Sequence, residues 1–307
     1  YGYRSATIFS SLMNLDVSHL FQSLYMEGGK NFYCYNGASP LPSAMFSVKY
    51  MLSSNPVDES PLRTLVGSSN GNYLYRNNYC LPLGYMMSEK AIKGWESSML
   101  DRIGSLNSLA QQLGAKGDML YPATCTQSQA AGDTTIDISE DGYYYADYVT
   151  CNADSLTVSR DDGWTQQYGK TTHRYLLDLG ECKAGTKVHI TNLNAETIEY
   201  HVYRLNFKAM CTAYETLSEQ TMSLEKMTDR RIVGSIDVRQ AGRLILSVPA
   251  DEGWSLYVDG KKTKIKPFAD ALIGVHLKEG THKIELRYTT PGVQIGAAIS
   301  IAALLLF

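Results

Sequence analysis

From Tyr121 to Tyr288 the chain produces short runs of β-branched and aromatic residues one after another: TTIDI, YYYADYV, RYLLDL, KVHITNL, IEYHVYRL, RIVGSIDV, GRLILSVP, WSLYVDG, ALIGVHL and HKIELRY. Asp-Gly, Ala-Gly and Asn-rich breaks separate them, so turn chemistry closes each run before a helix of ordinary length can form. That rhythm reads as an antiparallel β-sandwich, jelly-roll-like in kind. One helical interruption, CTAYETLSEQTMSLEKM from Cys211 to Met227, breaks the series.

The earlier part is mixed. In ASPLPSAMFSVKYMLSSN, a Pro-rich lead-in meets the apolar run VKYML, which fits a buried strand. In TLVGSSNGNYLYRNN, Asn70-Gly71 stands between two apolar stretches, a strong hairpin signal. Ser88 can cap one helix with body EKAIKGWESSMLDRIGSLNSLAQQL, where Ile92, Trp95, Met99, Ile103, Leu106 and Leu113 recur at helical spacing and Gly114 or Gly117 can end it. The fold class is therefore α+β: a small α/β unit over residues 1–117, then the sandwich over 118–290.

The chain closes on GVQIGAAISIAALLLF, sixteen residues without a charge. As a helix the run spans roughly 24 Å, less than the roughly 30 Å of a bilayer core. Residues 291–307 read as the start of a transmembrane helix, with a buried C-terminal helix as the alternative. At the other end, YGYRSATIFSSL has neither an initiator Met nor a signal-peptide pattern, so any export signal or earlier membrane segment is expected to have been cut away.

A balance of 28 basic against 31 acidic side chains excludes the charge footprint of a nucleic-acid binder. Tyrosine is over-used, 22 against 7 Phe and 3 Trp, which suits half-wet sheets, membrane interfaces and sugar-facing surfaces. Cys34, Cys80, Cys125, Cys151, Cys182 and Cys211 lie far apart, with no CxxC pair and no His at metal-ligand spacing, so no metal site is expected and most are read as buried thiols.

No nucleophile elbow, phosphate loop, HExxH or paired-carboxylate signature occurs, and no catalytic residue is assigned in this chain. In SEDGYYYADY, Glu140, Asp141 and Asp147 are close in sequence, but an Asp-Gly turn feeding a tyrosine-rich strand accounts for them. The lone strand histidines read as structural. The carbohydrate-contact candidates lie in SRDDGWTQQYGKTTHRY: Trp164 and Tyr168 offer ring faces, while Asp161, Asp162 and Gln166 offer hydrogen bonds to hydroxyls. A loop that folds its own Trp back onto the sheet is the simpler alternative. Trp254, Asp259 and Gly260 form a structural motif, the turn resting on a positive φ at Gly260.

The segment from Ser247 to Phe307 resembles the C-terminal end of the YfhO family of bacterial polytopic membrane proteins, because VPADEGW, VDGKK, EGTHKIELRY and TPG follow in the family's order before an apolar helix. Ala250 stands where the family usually has an aromatic residue. ASPLPSAMFSVKYMLS, NYLYRNNYCLPLGYMM and LLDLGECKAGTKVHITN are similar to further family stretches, with a weak match from Gly117 to Thr172.

The resemblance implies the extracytoplasmic region of a GT-C-like membrane glycosyltransferase of Gram-positive surfaces. Such an enzyme takes its sugar from a polyprenyl-phosphate carrier, the donor expected for the parent, and this region itself would need no cofactor. The implied partners are the cell membrane and a cell-surface glycopolymer acceptor such as teichoic acid, with no nucleic acid. In that class the catalytic carboxylate sits in an early external loop that this chain does not contain. Lys283 and Arg287 flank the final helix on the proposed external side, against the positive-inside tendency, although one flank does not fix an orientation. Two rivals are a membrane-anchored carbohydrate-binding or adhesion module without catalysis, and a secreted hydrolase, which the absent acid/base pair disfavours.

Overall fold

Asn70 and Gly71 both take left-handed backbone, with φ of 49° and 74°. They fold Arg63–Ser69 back on Asn72–Asn77, since two left-handed central residues give a turn whose twist matches that of a β-ribbon. Tyr50–Ser53 completes this three-stranded sheet as an edge strand. It is not buried as its apolar run implied: Tyr50 and Leu52 stay exposed.

The computed structural model describes residues 5–11, 13–149 and 151–306. The chain forms two compact units, one made of Tyr1–Leu81 and Lys90–Thr216, the other of Pro82–Glu89 and Leu217–Phe307. Among the described residues every strand pairing is antiparallel. A β-sandwich with few helices is thus the fold.

In the first unit a four-stranded sheet holds Leu177–Cys182, Gly142–Tyr148, Tyr200–Leu205 and Leu120–Pro122 in that order. A five-stranded sheet orders Thr165–Gly169, Ser155–Arg160, Lys187–Thr191, Asp133–Ile138 and Cys125–Ala130. Alternate residues make the core: Tyr144, Ala146, Tyr148, Leu177, Leu179 and Val202 from one sheet, and Ile136, Ile138, Leu156, Val158, Val188 and Ile190 from the other. Gly142–Tyr148 is buried on both faces. Two of its tyrosines suit that position because a ring fills core while the hydroxyl reaches a carbonyl: Tyr144 donates to Glu140 O at 2.7 Å and Tyr148 to Thr171 O at 2.9 Å.

The expected single helix after Ser88 is two, Glu89–Gly94 and Arg102–Gln112. Local polar bonds win over apolar spacing between them. Ser98 Oγ accepts from Leu100 N and Asp101 N, and Asp101 Oδ1 then accepts from Gly104 N at 2.8 Å as the cap of the second helix. The helix expected over Cys211 to Met227 is shifted: helix covers Phe207–Ser218, while Ser223–Met227 is a strand on Arg231–Val238.

The second unit packs a five-stranded sheet, Ser223–Met227, Arg231–Val238, Gly280–Tyr288, Trp254–Val258 and Lys261–Thr263, with a three-stranded one, Leu272–Leu277, Gly242–Pro249 and Gly84–Met87. Its core includes Ile232, Ile236, Leu244, Leu246, Leu256, Val275, Ile284 and Leu286. The apolar end forms a final helix, Val293–Leu306, of 14 residues. Among the described residues no helix is long and apolar enough to cross a membrane. All six cysteines are free, but only Cys151 and Cys182 are buried, the other four being half-buried.

Candidate functional site

The helix Arg102–Gln112 carries an apolar stripe, Leu106, Leu109 and Ala110, that is fully buried. Its other side is unusual for a solvated face in bearing Ser and amide groups where Lys and Glu would be ordinary. Asn107 is turned inward: its Nδ2 donates to Leu120 O at 2.8 Å and its Oδ1 accepts from Leu120 N at 2.9 Å, which ties the helix to Leu120–Pro122. Gln111 Nε2 donates to Asp118 Oδ1 at 2.9 Å, and Ser108 Oγ accepts from Glu96 N at 3.1 Å.

Along this helix opens a cleft of about 540 Å³. Glu96, Asp101 and Asp118 bring carboxylates to its wall, Gln111 and Gln112 bring amides, and Tyr203 brings a ring and a hydroxyl. Carboxylate oxygens accept from hydroxyl donors, amides do both, and a tyrosine ring packs on C–H surface. Those are the interactions a sugar offers. Burial, and after it the charges of Asp147 and Asp101, push the Tyr203 hydroxyl above the usual phenol range, so it stays a neutral donor. Among the described residues no group of His, Cys, Asp and Glu is arranged to hold a metal ion.

The stretch from Ser155 to Gly169 is a β-hairpin at a sheet edge. Asp161 and Asp162 are exposed at its turn, where Asp162 Oδ1 accepts from Trp164 N at 2.9 Å and Asp162 pairs with Arg160 at 2.9 Å. Burial opposes but does not overcome the bonds from Trp164 N and Arg160, which leave the Asp162 carboxyl below its ordinary range. Trp164, just before the second strand, and Gln166 and Tyr168 within it follow a period of two, and all three are half-buried. The Trp164 and Tyr168 rings pack on the sandwich core. The Arg160 guanidinium lies 4.7 Å from the Trp164 ring centroid, while the Tyr168 hydroxyl donates inward to Asp178 O at 2.5 Å. The hairpin therefore gathers these residues, and much of their aromatic surface is engaged within the protein.

Trp254 meets Tyr288 edge-on at 5.0 Å beside the core of the second unit. Asp259 and Gly260, with φ of 51° and 77°, make the two-residue turn between Trp254–Val258 and Lys261–Thr263. Asp259 Oδ1 accepts from Lys283 N and Oδ2 pairs with His282 Nδ1, both at 2.8 Å.

Sequence reading missed the cleft and a pair of arginines beside it, Arg102 and Arg174. The amide-rich face of SLNSLAQQL was a signal for the cleft. None existed for the arginines, which the fold brings together from positions 72 residues apart.

A family model described as "Bacterial membrane protein YfhO" matches residues 1–300. The chain is similar to "Uncharacterized protein YfhO" of Bacillus subtilis (strain 168), 22% identical over 354 residues that take in 100% of this chain and 40% of that protein. It thus spans well under half the length of this curated relative. Alignment with a Cupin 2 conserved barrel domain protein from Leptotrichia buccalis covers 55% of this chain and 91% of that one at 11% identity and a TM-score of 0.14. Alignment with a quercetin 2,3-dioxygenase from Acinetobacter baumannii covers 62% and 77% at 8% identity and a TM-score of 0.12. Superpositions this poor carry no argument about fold or chemistry.

Proposed function

The chain belongs to the YfhO family of bacterial membrane proteins, and from that premise we propose that it is the extracytoplasmic region of a polytopic glycosyltransferase. The parent would take a sugar from a polyprenyl-phosphate carrier and place it on a cell-surface polymer such as teichoic acid. This region guides the acceptor toward a membrane-level active site, and the chemistry itself lies in the remainder of the protein.

The observation that carries the reading is the cleft along Arg102–Gln112, of about 540 Å³, walled by carboxylates, amides and Tyr203. Its size and lining suit one or two sugar rings held by hydroxyl contacts. Its three carboxylates disfavour a phosphate inside it, so the sugar part of an acceptor is what it would take. The same cleft would serve a membrane-anchored glycan-binding module without transfer.

The test is a transfer assay on the full-length membrane protein, using radiolabelled polyprenyl-phosphate sugar and the purified polymer. Gln112→Ala and Tyr203→Phe should each raise the acceptor KM by roughly fivefold, the loss of about one hydrogen bond, with donor KM unchanged. Unchanged acceptor KM in both variants, with a rise in Trp164→Ala, moves acceptor contact to the hairpin. Glycan binding by a full-length protein that transfers nothing selects the binding module.

A further inference from the structure

Arg102 opens the helix beside the cleft and has no carboxylate partner among the described residues. Its Nε donates to Met99 O at 3.1 Å and its Nη1 to Arg174 O at 2.6 Å. Arg174 is held through Nε and Nη2 by Asp147, with Nη2 3.0 Å from Oδ2, and its Nε also donates to Tyr25 Oη at 3.1 Å. Both guanidiniums lie over the buried Tyr25 ring, 5.3 and 5.7 Å from its centroid. Of these two positive charges, Arg174 alone is paired with a carboxylate among the described residues. His201 Nδ1 lies 3.8 Å from Asp147 Oδ2, and the Tyr203 and Tyr148 hydroxyls also feel that carboxylate.

The arrangement is held at a backbone cost. Tyr25 and Arg174 have φ of 61° and 46°, left-handed conformations that neither residue type favours. Tyr25 O accepts from Leu176 N at 3.2 Å, and a Cβ on Gly37 would stand 2.5 Å from the same oxygen, so only glycine lets this strand of chain close over the site. Burial, and after it the neighbouring Arg174, lower the pKa of Arg102 from the ordinary arginine value. A half-buried cation that feels a second cation is in an environment that an incoming anion relieves.

We propose that Arg102 and Arg174 form a binding site for a phosphate ester. Among the described residues Arg102 Nη2 and Arg174 Nη1 have no hydrogen-bond acceptor, and both forks lie over the Tyr25 ring. A carboxylate is satisfied by one fork in one plane, whereas a phosphate presents oxygens in several directions and engages two. The inference rests on and deepens the reading of the cleft: Tyr203 lines the cleft and also feels Asp147 and Arg174, so a glycan bound by its hydroxyls would carry an attached phosphate toward the pair.

The experiment titrates the 307-residue chain with inorganic phosphate at low salt, followed by calorimetry. Arg102→Gln should weaken phosphate binding about tenfold or more, and Arg102→Lys, which keeps charge without the fork, should fall between. Both variants should remain folded at the titration temperature, with some loss of melting temperature from the bonds to Met99 O and Arg174 O that Arg102 makes. Competition by a soluble poly(glycerol phosphate) or by a short-chain prenyl phosphate then names the source, polymer or lipid carrier, and either winner supports the site. No phosphate binding by the parent chain, or equal binding by Arg102→Gln, overturns it. A neutral oligosaccharide titrated in parallel separates the two readings: its failure to bind while phosphate binds removes the cleft proposal and leaves the arginine site.

Discussion

The two units are built from the same antiparallel layers and filled differently. The second unit packs Leu, Ile and Val at its centre and leaves its ion pairs toward the surface, such as Arg231–Glu285 at 2.7 Å. The first buries Tyr144, Tyr145, Tyr148 and Tyr175 together with Arg63, Arg160, Asp147 and Glu27. Arg63 meets Asp178 at 2.7 Å and Tyr143, Arg160 meets Asp58 at 2.7 Å, and Glu27 meets His173 at 2.6 Å. Desolvating these groups opposes folding unless each finds its partners, so an apolar interior is the easier way to a stable sandwich. The first unit therefore carries a desolvation cost that the second largely avoids. The cleft and the arginine pair both lie in the first unit, which is why function is placed there and the second unit is read as scaffold.

The largest difference between the units is expected at the buried ion pair of the first, Arg63 with Asp178. Asp178→Ala leaves Arg63 buried without its carboxylate and should cost about 3–5 kcal/mol in urea unfolding. The double variant Arg63→Met/Asp178→Leu should be much closer to the parent. A double variant as damaged as the single would mean that the polar centre is not the costly element claimed. In the second unit Leu256→Ala removes a fully buried side chain and should cost about 2–5 kcal/mol, an effect of packing alone that salt does not change.

A smaller loss is expected at Gly260, where a Cβ would meet nothing within 4 Å, so that only the φ of 77° resists substitution. Gly260→Val should cost about 1–3 kcal/mol, with glycan and phosphate binding unchanged. Least of all is the pH effect at the same turn. The bond to Asp259 raises the His282 pKa above 6.5, and the bond to His282, with that from Lys283 N, lowers Asp259 below 3.8. The raised histidine contributes stability that is full below its unfolded value and is lost as pH rises through its folded value. The lowered carboxyl contributes stability present above its unfolded value and lost as pH falls. Their joint contribution is therefore greatest in the window between those two ordinary values. Asp259→Asn should flatten the stability profile there, as followed by thermal melts.

What the sequence disclosed was local. The Asn70-Gly71 and Asp259-Gly260 turns and the strand runs needed only near neighbours. The failures were contests decided by longer range or by a few polar bonds. Ser98 and Asp101 cut one expected helix in two. Gly84–Met87 pairs with Gly242–Pro249 far along the chain, so the second unit recruits a segment that no composition shift marks. Trp164 sits in a hairpin whose polar text resembled an open loop, and the period-two alternation that half-buries it emerges only once the partner strand is known. The arginine pair depends on left-handed backbone at Tyr25 and Arg174, where no glycine announces it.

The central claim, that the first unit receives a glycan and the second supports it, is tested most directly by amide hydrogen exchange on the 307-residue chain with and without a neutral oligosaccharide from the acceptor polymer. Added protection is expected over residues 94–122 and at Tyr203, the walls of the cleft, with the strands from Trp254 to Thr263 unchanged. Protection confined to the second unit, or none in either, would contradict it.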